Sequence, residues 1–403
     1  MPEAYPTLFS PIELGPLTLR NRIAMAPLTR QMAEADGTPT AEMAAYYARR
    51  ARGGVGLIIT EGTYEQDAFQ SKAYLSQPGI ANDAHVAGWA KVCEAVHAQD
   101  CKIIIQLMHG GRVSDPRVLN GQPPVSASPT HSGGWSLYTD SDYEKSIRNI
   151  AGDWPRVTFG PARALTLAEL YAVADGFADG ARRAVAAGAD GVEVHGANGY
   201  LLWQFITPAT NLRTDDFGGS PENNVRFARL VGDKIRAAIG PDKLITLRLS
   251  QDGVDDFGGA WPGIGYAQAI GAALKDSAFD ALHWSSFDYL TNRQTDSDTP
   301  LPTVIRNASG KPVITNGGIA DGPMAEAALT SGAADVVAIG RPLFAHPDWP
   351  YIVRSGAPYD WLPFDRSYVI RPPLDYALAY PLALQDPHWP TTPPDNIQTE
   401  DRT

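Results

Sequence analysis

His195, Asn198 and Tyr200 stand close together in the segment Glu193-Val194-His195-Gly196-Ala197-Asn198-Gly199-Tyr200. An imidazole and a carboxamide both donate hydrogen bonds. Converging on one carbonyl oxygen, they stabilise negative charge that grows there during a reaction. A phenol beside them can give a proton to a neighbouring carbon or oxygen. If a helical turn follows the histidine, the three-residue spacing turns His195 and Asn198 the same way. The competing reading is a rim histidine satisfied by backbone groups, with Tyr200 packed in the core. Arg248, in Arg248-Leu249-Ser250, calls for an anionic partner if it is buried, either a bound group or an internal carboxylate. Gln106 offers a donor and an acceptor to an amide-like ring edge, and Thr29 is similarly placed. Either residue is equally readable as structural. Thr315-Asn316-Gly317-Gly318 and Ile339-Gly340-Arg341-Pro342 carry small residues that let backbone N–H groups approach a phosphate, with Arg341 able to grip it in two places. Tight turns are the alternative there.

These segments share a setting. Each follows a short run rich in Val, Ile or Leu, of the kind that forms parallel strands buried on both faces. The runs are Ile23–Met25, Gly56–Thr60, Lys102–Leu107, Gly191–His195, Leu244–Leu249, Ala281–Trp284, Pro312–Thr315 and Val336–Ile339. Helical patterns lie between them: Ala41–Arg52, Asp83–Gln99, Leu167–Ala187 behind the capping box Thr166…Glu169, a helix from Ser220-Pro221 to Ile239, Gly265–Lys275 and Gly322–Ser331. The alternation predicts an α/β fold, a (β/α)8 TIM barrel with the candidate residues at its C-terminal mouth. A doubly wound sheet is the alternative. Residues 8–20 read as an N-terminal hairpin around Gly15-Pro16, covering the barrel's bottom. Residues 109–164 form a long capping excursion after strand 3, and 358–403 a C-terminal extension. The whole chain, 1–403, is expected to be one domain.

Composition narrows the function. The net charge of −12 disfavours nucleic acid or an anionic membrane as partner. No apolar run approaches the roughly 20 residues of a membrane span, and no secretory signal is visible, so a cytoplasmic location is expected. Cys93 and Cys101 alone cannot hold an iron–sulfur cluster or a structural zinc, and no metal site is expected. Gly263-Ile264-Gly265 begins like a dinucleotide fingerprint, but Trp261-Pro262 precedes it where a strand is required.

Several segments identify a resemblance over roughly residues 7–350. They include YYARRARGGVGLIITEGT, QLMHGGR, GADGVEVHGANGYLLWQFITPATNLRTDDFGGS and ADVVAIGRPLF. The chain resembles the Old Yellow Enzyme family of FMN-dependent ene-reductases. The resemblance implies tightly bound, non-covalent FMN reduced by NADPH or NADH, and a small-molecule enone, enal or nitroalkene substrate. It implies flavin contacts from Pro27, Thr29, Gly62, Gln106 and Arg248, and a phosphate at Gly317, Gly318, Gly340 and Arg341. His195 and Asn198 would bind the substrate carbonyl. Flavin N5 would give hydride to Cβ, and Tyr200 a proton to Cα. A monomer or homodimer is expected. Met108 stands where many relatives carry Trp, and Asn224 where relatives usually have Arg. Nitro reduction or amine oxidation on the same scaffold is one alternative. A flavin-free phosphate-binding isomerase or aldolase, leaning on Glu193 as its mouth carboxylate, is another.

Overall fold

The computed structural model describes residues 4–132, 135–136, 157–253, 259–290 and 297–356. The C-terminal extension with Tyr376 and Tyr380, and most of the aromatic part of the excursion, lie outside them.

A short antiparallel hairpin, β1 (Ile12–Leu14) and β2 (Leu17–Leu19), comes first, turning at Gly15 with φ +57°. Its leucines, Leu14, Leu17 and Leu19, pack with the start of the barrel interior, including Ala24, Leu57, Leu244 and Val336. The hairpin thus plugs the N-terminal end, where only side-chain packing is required.

The barrel strands begin with β3 (Ile23–Met25), β4 (Leu57–Ile59) and β5 (Lys102–Leu107). Helix α1 (Ala41–Arg52) lies between the first two, and α2 (Asp83–His97) between the second and third. Thr40 and Asn82 cap these helices through their side chains. The excursion then contributes two small pairs: β6 (Val125–Ser126) beside β9 (Arg163–Ala164), and β7 (Trp135–Ser136) against β8 (Val157–Thr158). Helix α3 (Leu167–Ala186) follows, with the predicted reciprocal cap of Thr166 and Glu169.

The second half continues with β10 (Gly191–Asn198), α4 (Leu201–Ile206), α5 (Pro221–Asn224), α6 (Arg226–Ile239), β11 (Leu244–Gly253), α7 (Gly263–Leu274) and β12 (Ala281–Ser285). It ends with α8 (Leu301–Ser309), β13 (Val313–Asn316), α9 (Gly322–Thr330), β14 (Val336–Ile339), α10 (Arg341–Ala345) and α11 (Trp349–Ser355). Strands β10 to β14, β3, β4 and β5 close into a parallel barrel in that order. The seam joins β14 to β3 through the pairs Val337 with Ile23, Ala338 with Ala24 and Ile339 with Met25.

Two helical expectations needed correction. The helix expected to run unbroken to Ile239 is interrupted at Val225. Asn224 is pinned inward there, accepting from Asn211 and donating to the Tyr266 hydroxyl at 2.8 Å. Helix α8 was not among the helices expected from the sequence, and it carries a proline at its start. Pro302 falls in the first turn, where no backbone donor is needed, and Gly310 ends the helix at φ +67°.

The two ends of the ring are also joined by side chains. Arg49 of α1 binds Asp348, just before α11, with both guanidinium nitrogens, one at 2.7 Å, and the pair is buried. The Glu326 carboxylate of α9 accepts from the Thr7 and Leu8 amides at 3.0 and 2.8 Å.

Candidate active site

A cavity of about 770 Å³ opens at the C-terminal ends of the strands, and every residue nominated as a flavin or substrate contact lines it, whereas Glu193 does not. Strand β10 carries the carbonyl-binding candidates. The expected helical turn after His195 is absent; the strand continues to Asn198, with a register shift against β11 between Gly196 and Asn198. Gly196 makes the close approach possible, since a Cβ there would lie 2.8 Å from the Arg248 carbonyl oxygen. Asn198 takes the left-handed conformation (φ +60°), which asparagine tolerates better than most residues. A bulge, not a helix, therefore brings His195 and Asn198 to one wall.

His195 is buried, and its Nδ1 accepts from the Ala197 amide at 3.3 Å. That leaves the hydrogen on Nε2. Burial first, then the Arg248 guanidinium and the His283 ring, hold its pKa well below the usual histidine value, so the ring is neutral. Asn198 donates its amide N–H to the Ser250 hydroxyl at 2.8 Å, and its side-chain oxygen lies 3.5 Å from the Ser285 hydroxyl. The carboxamide NH2 is the remaining donor end. Tyr200, at the head of α4, stands edge-on to His195 with ring centres 4.8 Å apart.

Beneath this wall lies a polar network inside the barrel. Glu193 is fully buried, so it belongs to the core and not to the mouth. Its carboxylate accepts from Gln106 Nε2 at 2.8 Å and Thr246 Oγ1 at 3.0 Å, and meets His283 Nδ1 at 2.8 Å. Burial raises its pKa, but His283, Arg248 and Gln106 outweigh that and hold it low. The isomerase or aldolase reading loses the carboxylate it leaned on. Sequence reasoning missed His283 and Asn316. A polar residue inside the apolar run Ala281-Leu282-His283-Trp284 was the available signal, because a buried polar group must find a partner.

Arg248 reaches the cavity wall with Nη2 bonded to Asn316 Oδ1 at 3.1 Å, and its buried Nε has no hydrogen-bond partner. Burial pushes its pKa down to about 10, with Glu193 opposing. An orphaned, buried guanidinium N–H is costly unless a ligand completes it. Gln106 spends its side-chain N–H on Glu193. Thr29 places its hydroxyl 3.3 Å from the Tyr74 hydroxyl, and Tyr74 donates weakly to the Gly62 carbonyl at 3.4 Å. Gly62 has no room for a side chain, since a Cβ there would sit 2.4 Å from Met108 Sδ. Met108 is buried with Tyr74 and Tyr200 in a small apolar cluster under the mouth.

The glycine loops after β13 and β14 face the same cavity. Gly317 (φ +127°) could not take a side chain without meeting the Ser286 carbonyl oxygen at 2.4 Å. Arg341 is exposed in the first turn of α10, beside Gly340. Backbone amides, an exposed guanidinium and an incomplete buried one make a donor set fitted to a phosphorylated, electron-rich ring system, and flavin mononucleotide fits that description.

A parallel barrel that sets such a donor set beside a wall bearing His195 and Asn198 is a framework suited to a flavin-dependent oxidoreductase. The model of the NADH:flavin oxidoreductase / NADH oxidase family matches residues 7–360, and the chain belongs to that family. Chanoclavine-I aldehyde reductase of Penicillium roqueforti is 36% identical over 381 residues, covering 92% of this chain and 95% of that protein. The NADH oxidase of Thermoanaerobacter brockii is 34% identical over 360 residues, covering 87% of this chain and 51% of the relative, so the chain spans about half of its length. The structure of the old yellow enzyme homologue from Zymomonas mobilis superposes with a TM-score of 0.78 at 34% identity, covering 92% of this chain and 99% of that one. The protein is an oxidoreductase of the Old Yellow Enzyme type, with FMN and a nicotinamide nucleotide as its cofactors. Among the described residues no helix is long and apolar enough to cross a membrane.

Proposed function

We propose that the protein reduces the C=C bond of α,β-unsaturated carbonyl compounds at the expense of NADPH or NADH. The observation that carries this reading is the wall formed by His195 and Asn198. A neutral imidazole with its hydrogen on Nε2 stands beside a carboxamide NH2 at the mouth of the barrel. Two fixed donors stabilise an oxygen that gains charge as the alkene is reduced. FMN, when bound, would supply the hydride chemistry that links nicotinamide oxidation to alkene reduction.

The chain's own groups do the rest. Arg248, Gln106 and Thr29 would hold the polar ring of the flavin, Pro27 and Gly62 would form the backbone bed, and Gly317, Gly318, Gly340 and Arg341 would hold the phosphate. His195 and Asn198 orient the carbonyl. Tyr200 delivers a proton to the α-carbon, which leaves the product uncharged. The aldehyde reductase relative supports a conjugated carbonyl as substrate class.

Stopped-flow absorbance tests the assignment, following FMN reduction by NADPH and then its reoxidation by cyclohexenone. Tyr200→Phe is expected to slow reoxidation by about 10²–10⁴-fold, the usual range for a lost proton donor, while reduction stays within about twofold. Equal slowing of both half-reactions would remove Tyr200 from proton transfer.

A further inference from the structure

Arg248 is one of several groups that meet at a single atom. Asn316 Oδ1 accepts from Arg248 Nη2 at 3.1 Å and lies 3.0 Å from His283 Nε2. The arginine can only donate, so the atom facing it must be the amide oxygen. The same oxygen therefore also accepts from His283 Nε2. The other ring nitrogen, Nδ1, donates to the Glu193 carboxylate, which is held in turn by Gln106 and Thr246. The result is a chain of side chains from strands β5, β10, β11, β12 and β13, with each polar contact inside the barrel. Glu193 and His283 are fully buried and Arg248 nearly so. Asn316 reaches the cavity together with Arg248 and Gln106.

We propose that Asn316 is a positioning residue for the cofactor. Its side-chain oxygen, gripped from behind by His283, holds the Arg248 guanidinium against the cavity wall, where the side chain can meet the flavin. This rests on the FMN reading above, with Arg248 at the polar ring. Without the anchor the guanidinium is left with the pull of the buried Glu193 carboxylate and is expected to turn toward it. The reduced flavin carries more negative charge than the oxidised form, so it is the form that loses most when Arg248 turns away.

The test is the midpoint potential of FMN in the holoprotein and in Asn316→Ala, measured by dye equilibration, with oxidised FMN affinity measured by fluorescence quenching. The variant is expected to bind oxidised FMN within about threefold of the wild type. It should favour the oxidised form at least tenfold more strongly, which for a two-electron couple lowers the potential by about 30 mV. An unchanged or raised potential in a folded variant would overturn the positioning role. A merely structural asparagine would lower melting temperature and both affinities together, without changing their ratio. Nitrogen NMR of the wild-type holoprotein gives a variant-free check: His283 Nε2 is expected to be protonated and hydrogen-bonded, and an unprotonated Nε2 would also overturn the arrangement. Wild-type protein that bound no FMN would fail the cofactor reading instead, before either measurement began.

Discussion

A buried histidine beside an arginine resists a second proton, and His195 is in that position. Desolvation and the neighbouring Arg248 both favour the neutral ring, and the Ala197 amide settles which nitrogen keeps the hydrogen. Folding therefore converts the side chain most often used as a pH switch into a fixed donor. Its pKa is depressed, so the neutral form persists well below the ordinary titration range, and donor strength should not vary near pH 6.5. His195→Ala is expected to weaken binding of p-hydroxybenzaldehyde, a phenolic ligand, about 10- to 100-fold, the cost of one hydrogen bond to a charged acceptor. The flavin charge-transfer absorbance gives the affinity. Unchanged affinity, or a wild-type inflection near pH 6.5 that vanishes in the variant, would count against this account. At this scale the sequence was informative about residue types. His195, Asn198, Tyr200 and Arg248 could be nominated because their chemistry is uncommon at strand ends. His283 left only the hint of a polar residue in an apolar run, and Asn316 none, because their roles arise only when neighbouring strands bring Arg248 and His283 to the Asn316 oxygen.

Strand and helix placement were largely legible, since buried parallel strands and capped helices leave strong local patterns. The bulge at Gly196 to Asn198 was not, because a bulge is a relation between two strands and leaves no periodicity in either one alone. The close packing of α3 was equally invisible. Gly180 faces the segment after β4, and a Cβ added there would stand 2.9 Å from the Glu65 Cβ. Glu65 itself is buried, with its pKa raised to about 7 by desolvation against a bond to Ser71. An exposed helix interior gains about 1 kcal/mol when Gly becomes Ala. Gly180→Ala is expected to reverse that sign and lose about 1–3 kcal/mol through overpacking, read as a lower denaturation midpoint in urea. A stabilised variant would mean that α3 can move away from the Glu65 segment at little cost.

Across the whole molecule, the barrel could be inferred by counting apolar runs, and the hairpin plug from its turn. The closure contacts could not, because they join residues some three hundred positions apart and neither partner carries a local signature. Arg49 and Asp348 are such a pair, nearly sealed from solvent at 8% and 7% side-chain exposure. Removing one member strands the other charge in the interior. Asp348→Ala is expected to destabilise the fold by about 3–5 kcal/mol, seen as a drop in melting temperature. A change under about 1 kcal/mol would mean that water reaches Arg49 once its partner is gone.

The seam between β14 and β3 has a consequence for how the protein comes into being. Strand β3 is the first of the barrel strands in chain order, yet one of its two hydrogen-bonding neighbours is the last strand of the ring. Until some three hundred further residues have left the ribosome, one side of Ile23–Met25 presents bare amide and carbonyl groups. An open edge of that kind is where chains pair with the wrong partner. The edge therefore stays adhesive throughout the synthesis of the intervening barrel, and the arrival of Val336–Ile339 ends that exposure.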